Sequence, residues 1–172
     1  MGLIGLIRED LESKRRLYSQ YGDHLSFARV LMSDGTLAVA LYRLQERLSM
    51  VGLPLIALLP HLLNKWLNGC VIGVKARFGP GLVLIHPIAV VINSSVRGGS
   101  NVWIESSVVI GDNHGRSPRL GDDLFIGSGA KIIGDVDIGN GARVGANAVV
   151  LASVAPGATV VGIPAKPLGE KD

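Results

Sequence analysis

Cysteine is nearly absent from the chain: Cys70 stands alone among 172 residues, which excludes an intrachain disulfide and any cysteine-clustered zinc site. Aromatic residues are scarce too, at 5%, and charged residues reach only 18%. The small excess of cations, a net charge of +3, is scattered rather than interleaved with aromatics, so no nucleic-acid partner is expected. Apolar runs are short. The longest, Leu53 to Leu63, is eleven residues broken by Pro54, Pro60 and His61, whereas a bilayer span needs about twenty. The opening residues place no basic segment before their apolar ones and lack the Ser or Thr of a myristoylation signal, so no export signal is read and a cytoplasmic location is expected.

What the chain has in excess is glycine, 23 residues, within a composition that is 48% hydrophobic. That content excludes disorder, and the glycines lack the every-third spacing of collagen. The length suits one domain with a helical appendage. Up to about residue 70 the apolar residues keep helical spacing. Leu37, Leu41, Leu44 and Leu48 define one side of a helix, with Arg43, Gln45, Glu46 and Arg47 mostly on the other. Further helices are expected over 55–67, after the Gly52 and Pro54 break, and over the charge-dense stretch 7–18. The chain is therefore divided into a helical region, 1–70, a main domain, 71–167, and a tail, 168–172.

From Ile72 the period becomes six. Aliphatic residues stand at Leu120, Ile126, Ile132, Ile138, Val144 and Val150, and glycine follows four of them. A second stripe lies four residues later in each unit, at Leu124, Ala130, Val136, Ala142, Ala148, Val154 and Val160. Each unit reads as a short strand and a tight turn, with the aliphatic pointing inward and the small residue filling the corner. The same frame holds upstream in Ile72/Ala76, Phe78/Leu82 and Leu84/Ile88, shifts by two residues after Val90, and resumes at Gly98/Val102. Three units close one triangular coil, giving about five stacked coils with one continuous core. Asn113 to Pro118 exceed one unit and are expected to leave the coil as a loop, a place where function is commonly carried.

These repeats resemble those of the hexapeptide-repeat acyltransferases, which implies a mainly β fold, a left-handed parallel β-helix preceded by the α-helical region. The run Gly81 to Val96, the block Ile126 to Gly139 and the ending Val160 to Pro167 resemble the serine acetyltransferase family, and most of all its branch associated with exopolysaccharide biosynthesis. The resemblance implies transfer of acetyl from acetyl-CoA to a hydroxyl, a histidine as general base, and clefts formed between the subunits of a homotrimer; no metal is expected, since only His86 and His114 lie in the coil region and neither sits in a His-x4-His pair. His86 matches the base. An imidazole titrates near neutrality and can take the hydroxyl proton as oxygen attacks the thioester. Small residues allow close approach of the pantetheine arm, and Gly111, Ser128, Gly129, Ala130, Ala146 and Gly162 meet that condition. Lys131 and Lys166 read equally as contacts of the nucleotide phosphates or as solvated charges.

The chain also departs from the family. Serine-specific members carry an acid immediately before the histidine and another fifteen positions earlier, where this chain has Ile85 and Val71. Their Arg-His-Pro at the end of the loop is Arg116-Ser117-Pro118 here, leaving Arg116 and His114 as candidate substrate contacts. Asp34, in Ser33-Asp34-Gly35-Thr36, is read either as a substrate acid or as a helix N-cap, with the cap taking precedence. A site without acids for an ammonium points to a saccharide hydroxyl of a surface polysaccharide, with serine O-acetylation and a non-catalytic scaffold as alternatives. The apolar segment around Leu53 to Leu67 is expected to pack on the first coil, the other use being contact with the inner surface of a membrane.

Overall fold

The computed structural model describes residues 1–169, so the end of the expected tail lies outside the described residues. Four helices come first: α1 (Leu3–Gln20), α2 (Phe27–Leu31), α3 (Thr36–Met50) and α4 (Leu58–Asn68). The short α2 had no sequence signal beyond its capping Ser26, whose hydroxyl accepts from Arg29 N. Gly69 ends α4 in the left-handed region that glycine adopts without a Cβ clash.

The remainder winds into a parallel β-helix. The first face holds β1 (Val71–Ile72), β4 (Val91–Ile92), β7 (Val109–Gly111), β10 (Lys131–Ile133) and β13 (Val149–Val150). The second holds β2 (Arg77–Phe78), β5 (Arg97–Gly98), β8 (Arg119–Leu120) and β11 (Asp137–Ile138). The third holds β3 (Val83–Leu84), β6 (Trp103–Ile104), β9 (Phe125–Ile126), β12 (Arg143–Val144) and β14 (Thr159–Val161), and is closed by antiparallel β15 (Lys166–Pro167). From Leu120 to Val160 both stripes of the six-residue frame are buried.

One feature of the frame sits elsewhere than expected. The two extra residues fall before Val90, not after it: Ile92 pairs with Ile72 and points inward, Val90 is buried, and Ile88 is exposed. The enlarged turn therefore lies between β3 and β4, where it carries His86.

The first coil needs a cap, because its upper edge would otherwise present unpaired backbone groups. Side chains of the helices supply it. Arg43 donates to the carbonyls of Phe78 and Gly79, Tyr42 to Ala76, and Gln45 to Ile72. Asp10 on α1 accepts from the backbone N–H of Gly81 and Leu82 and from Arg43 Nε at 2.8 Å. This duty reverses the expected face of α3. Arg43, Gln45 and Glu46 are buried, whereas Leu37 and Leu44 are exposed. Arg43 holds its proton more firmly than usual: burial disfavours the charge, but Asp10 and Glu46 outweigh it. The expectation for the segment around Leu53 to Leu67 also fails, since α4 buries only Pro60 and Asn64 and turns its leucines outward.

Candidate active site

The enlarged turn between β3 and β4 gives His86 its geometry. At the corner joining the third face to the first, every coil has one residue in the left-handed region, Ala89, Ser107, Gly129 or Asn147. Only the His86 coil has a second, His86 itself at φ 50°. A non-glycine residue held there is strained by about 1–3 kcal/mol, a state that persists where the surroundings over-determine it.

Asp34 does not cap α3. The capping position is Gly35, with no side-chain cap, and the Asp34 carboxylate instead meets His86, Oδ2 lying 2.9 Å from Nδ1. The two residues are 52 positions apart, and the turn that joins them is fixed from several sides. Gly35, at φ 83°, sits so close to the chain at Leu84 that a Cβ would lie 2.0 Å from the Leu84 carbonyl oxygen. The buried Lys14 of α1 donates to the Asp34 carbonyl and to Thr36 Oγ1. Ser33 and Thr36 hydroxyls both donate to the Val30 carbonyl. Burial, partly offset by the charge of Asp34, pushes the Lys14 ammonium down to about 8.

Around the pair lies an open pocket of about 570 Å³ whose apolar lining includes Met32, Leu37, Leu67 and Ile88. With the Nδ1 hydrogen donated to Asp34, Nε2 is left as an acceptor, the tautomer a general base requires.

The same corner continues down the coils from His86. Ser107 N bonds Ile88 O, Gly129 N bonds Ser106 O, and Asn147 N bonds Ser128 O, which stacks Ser128, Gly129 and Ala146 in one column; Ala130, expected beside them, instead turns its side chain into the core. Gly162 joins it at the end of β14, where its carbonyl accepts from Val149 N. Lys131 lies across the column, its ammonium 2.8 Å from the carbonyl oxygens of both Ser107 and Gly129. Lys166 stands on β15. Ser106, Ser107 and Asn147 also line this corner; the six-residue frame predicts their place, but nothing in their type marks them. Gly111 does not belong here. It ends β7 at the opposite edge of the first face, paired with Ile133.

The loop residues are separate as well. His114 and Arg116 emerge where the first face meets the second, in a shallow site with Asn113 and Asp135. Arg116 Nη1 is 3.4 Å from Asp135 Oδ2. Within one chain the whole width of the first face separates them from His86.

A family model described as bacterial transferase hexapeptide (six repeats) matches residues 117–152. The serine acetyltransferase of Helicobacter pylori strain J99 is 35% identical over 141 residues, which is 80% of this chain and 82% of that protein. Longer curated relatives are matched over 58 to 61% of their own length. Among solved structures, soybean serine acetyltransferase complexed with serine superposes with a TM-score of 0.88 at 32% identity, covering 96% of this chain and 69% of that one. A serine acetyltransferase in complex with CoA gives the same TM-score at 27% identity, covering 96% and 69%. The left-handed β-helix and its helical cap are thus shared with these proteins over nearly the whole chain, and the chain belongs to the serine acetyltransferase family of hexapeptide-repeat acyltransferases.

Proposed function

We propose that the chain transfers the acetyl group of acetyl-CoA to a hydroxyl, with His86 as general base and Asp34 as the acid that orients it. The observation that carries this reading is the 2.9 Å contact between Asp34 Oδ2 and His86 Nδ1. Nε2 takes the acceptor's proton as its oxygen attacks the thioester carbonyl, and returns a proton to the departing CoA sulfur. The small residues of the corner column leave room for the pantetheine arm to lie along the coils.

L-Serine is the acceptor we favour. The saccharide expectation rested on the lack of an acid near His86, and Asp34 supplies one. Its Oδ2 is engaged by the imidazole, which leaves Oδ1 for an ammonium, while Arg116 of a neighbouring copy suits the carboxylate. The relatives' names agree with this choice. One observation favours a saccharide instead: the apolar, open lining formed by Met32, Leu37, Leu67 and Ile88 suits a larger neutral acceptor better than a zwitterion. Release of CoA thiol, measured with L-serine and with mixed saccharides, decides between them. A kcat/KM of about 10⁴ M⁻¹s⁻¹ or more with serine is expected. Turnover with saccharides alone transfers the assignment to the second reading, and only background thioester loss with every acceptor leaves a scaffold.

Assembly as a homotrimer belongs to the same proposal. The first face points Val71, Val91, Val109 and Val149 outward in register, broken only by Lys131. The second face points Arg77, Arg97, Arg119 and Asp137 outward. Packing three valine faces around an axis covers the apolar one and brings the His86 corner of each copy to the loop corner of the next.

A further inference from the structure

Helix α4 and the turn before it leave a large apolar ridge uncovered among the described residues. Leu55, Leu59, Leu62, Leu63, Trp66 and Leu67 are exposed by 81, 61, 47, 40, 77 and 64%. On a helix of 3.6 residues per turn, the buried Pro60 and Asn64 mark the side held to the body, and Leu59, Leu62 and Trp66 fall on the opposite side. A contiguous apolar surface of this extent marks a site that something covers.

The charge around the ridge indicates what that is. Between Asp34 and Glu105 the only acid is Glu46, which is buried against Arg43, whereas Arg47, Lys65 and Lys75 are exposed. A second copy set face to face on this ridge would bring Lys65 and Lys75 against cations, and Asp34, the acid in the pocket that Leu67 lines, is already held by His86. An anionic surface has no such conflict. Trp66, with the Lys65 ammonium 5.6 Å from its ring centre, has the amphipathic character suited to the headgroup boundary. The ridge is also continuous with the candidate active site, because Leu67 lines the His86 pocket.

We propose that this ridge docks the protein on an anionic phospholipid bilayer, α4 lying in the plane of the headgroup boundary without crossing it. No helix among the described residues is long and apolar enough to cross. The docking is independent of which hydroxyl is acetylated. It would place the His86 pocket at the membrane surface.

Flotation of the full chain with vesicles tests it. Vesicles of phosphatidylcholine containing about 30% phosphatidylglycerol should bind about ten-fold more protein than phosphatidylcholine alone, the difference shrinking as salt is raised. Trp66 emission should shift to the blue on binding. The combined variant Leu59→Ser, Leu62→Ser, Trp66→Ser, which alters only exposed side chains, should no longer float while keeping its circular dichroism and its mass in solution. Equal or absent binding to the two vesicle types overturns the proposal. So does a fall in the variant's mass without vesicles, which would show that another copy of the chain covers the ridge.

Discussion

His86 and Asp34 are both exposed, at 64 and 71% of their side chains, and in such a setting even a full ion pair contributes only about 0–1 kcal/mol. Their contact cannot hold itself; the turn must hold it, and the buried contacts of Lys14, Thr36 and Gly35 do so. His86→Ala should lower kcat by about 10²-fold or more with little change in the KM for acetyl-CoA, since loss of a base acts on the transition state. Asp34→Asn should lower kcat by at least about 10-fold, and His114→Ala should cost less than either. Steady-state kinetics of the three variants check the order, and a larger loss for His114→Ala would move the base to the loop. Lys14→Met keeps the volume but releases the Asp34 carbonyl, so kcat should fall while the acetyl-CoA KM holds. The same lysine makes a prediction about pH. Its folded value of about 8 lies below the ordinary 10.5, so between these the unfolded chain binds more protons and stability rises with pH from this group. Urea titrations at pH 8 and pH 10 should show that increment in the parent and its loss in Lys14→Met.

The helical cap works as one element. Arg43 carries both carboxylates, Asp10 at 2.8 Å and Glu46 at 2.9 Å, while donating to the edge of the first coil. Arg43→Met leaves those carboxylates buried and unpaired, which costs about 3–5 kcal/mol. For a chain of this size that lowers the melting temperature by about 10 °C, measurable by calorimetry. Deleting residues 1–60 strips most of the cap and should give aggregated protein; a soluble, folded truncation would show that the coil edge tolerates water. These contacts also explain what the sequence did and did not reveal. The β-helix was legible because each coil repeats the same inward requirement, so Leu120 to Val160 states it seven times. The cap requirement is stated once. Leu37, Leu41, Leu44 and Leu48 looked like the buried side of α3, yet the unpaired carbonyls of Ile72, Ala76 and Phe78 drew Gln45, Tyr42 and Arg43 inward instead. Hydrophobic periodicity carries no record of a neighbouring backbone's unmet hydrogen bonds. For the same reason Asp34 read as a helix cap: its partner is 52 residues away, and only the close approach of Gly35 to Leu84 brings them together.

At the scale of the whole molecule, two candidate contacts lie at the wrong corners for a single chain. His86 stands where the third face meets the first, and Arg116 stands where the first meets the second, so no bending of the loop within one copy joins them. In the proposed trimer the outward valines of the first face supply the means, because three such faces packed together would place one copy's His86 beside the next copy's Arg116. The native mass at micromolar concentration should therefore be that of three chains. A mixing experiment asks more. His86→Ala and Arg116→Ala homotrimers should each be impaired, since every cleft in the first lacks the base and every cleft in the second lacks the arginine. When the two are unfolded together in equal amounts and refolded, a cleft that draws His86 from one kind of chain and Arg116 from the other is intact. Random assortment gives each of these two choices at one half, so about a quarter of the clefts, and about a quarter of the parent activity, should return. Refolding each variant alone and then combining them should restore nothing if the trimers do not exchange. Recovery no greater than the better single variant would mean that the two corners never meet, and that Arg116 belongs to its own pair with Asp135 rather than to the site of His86.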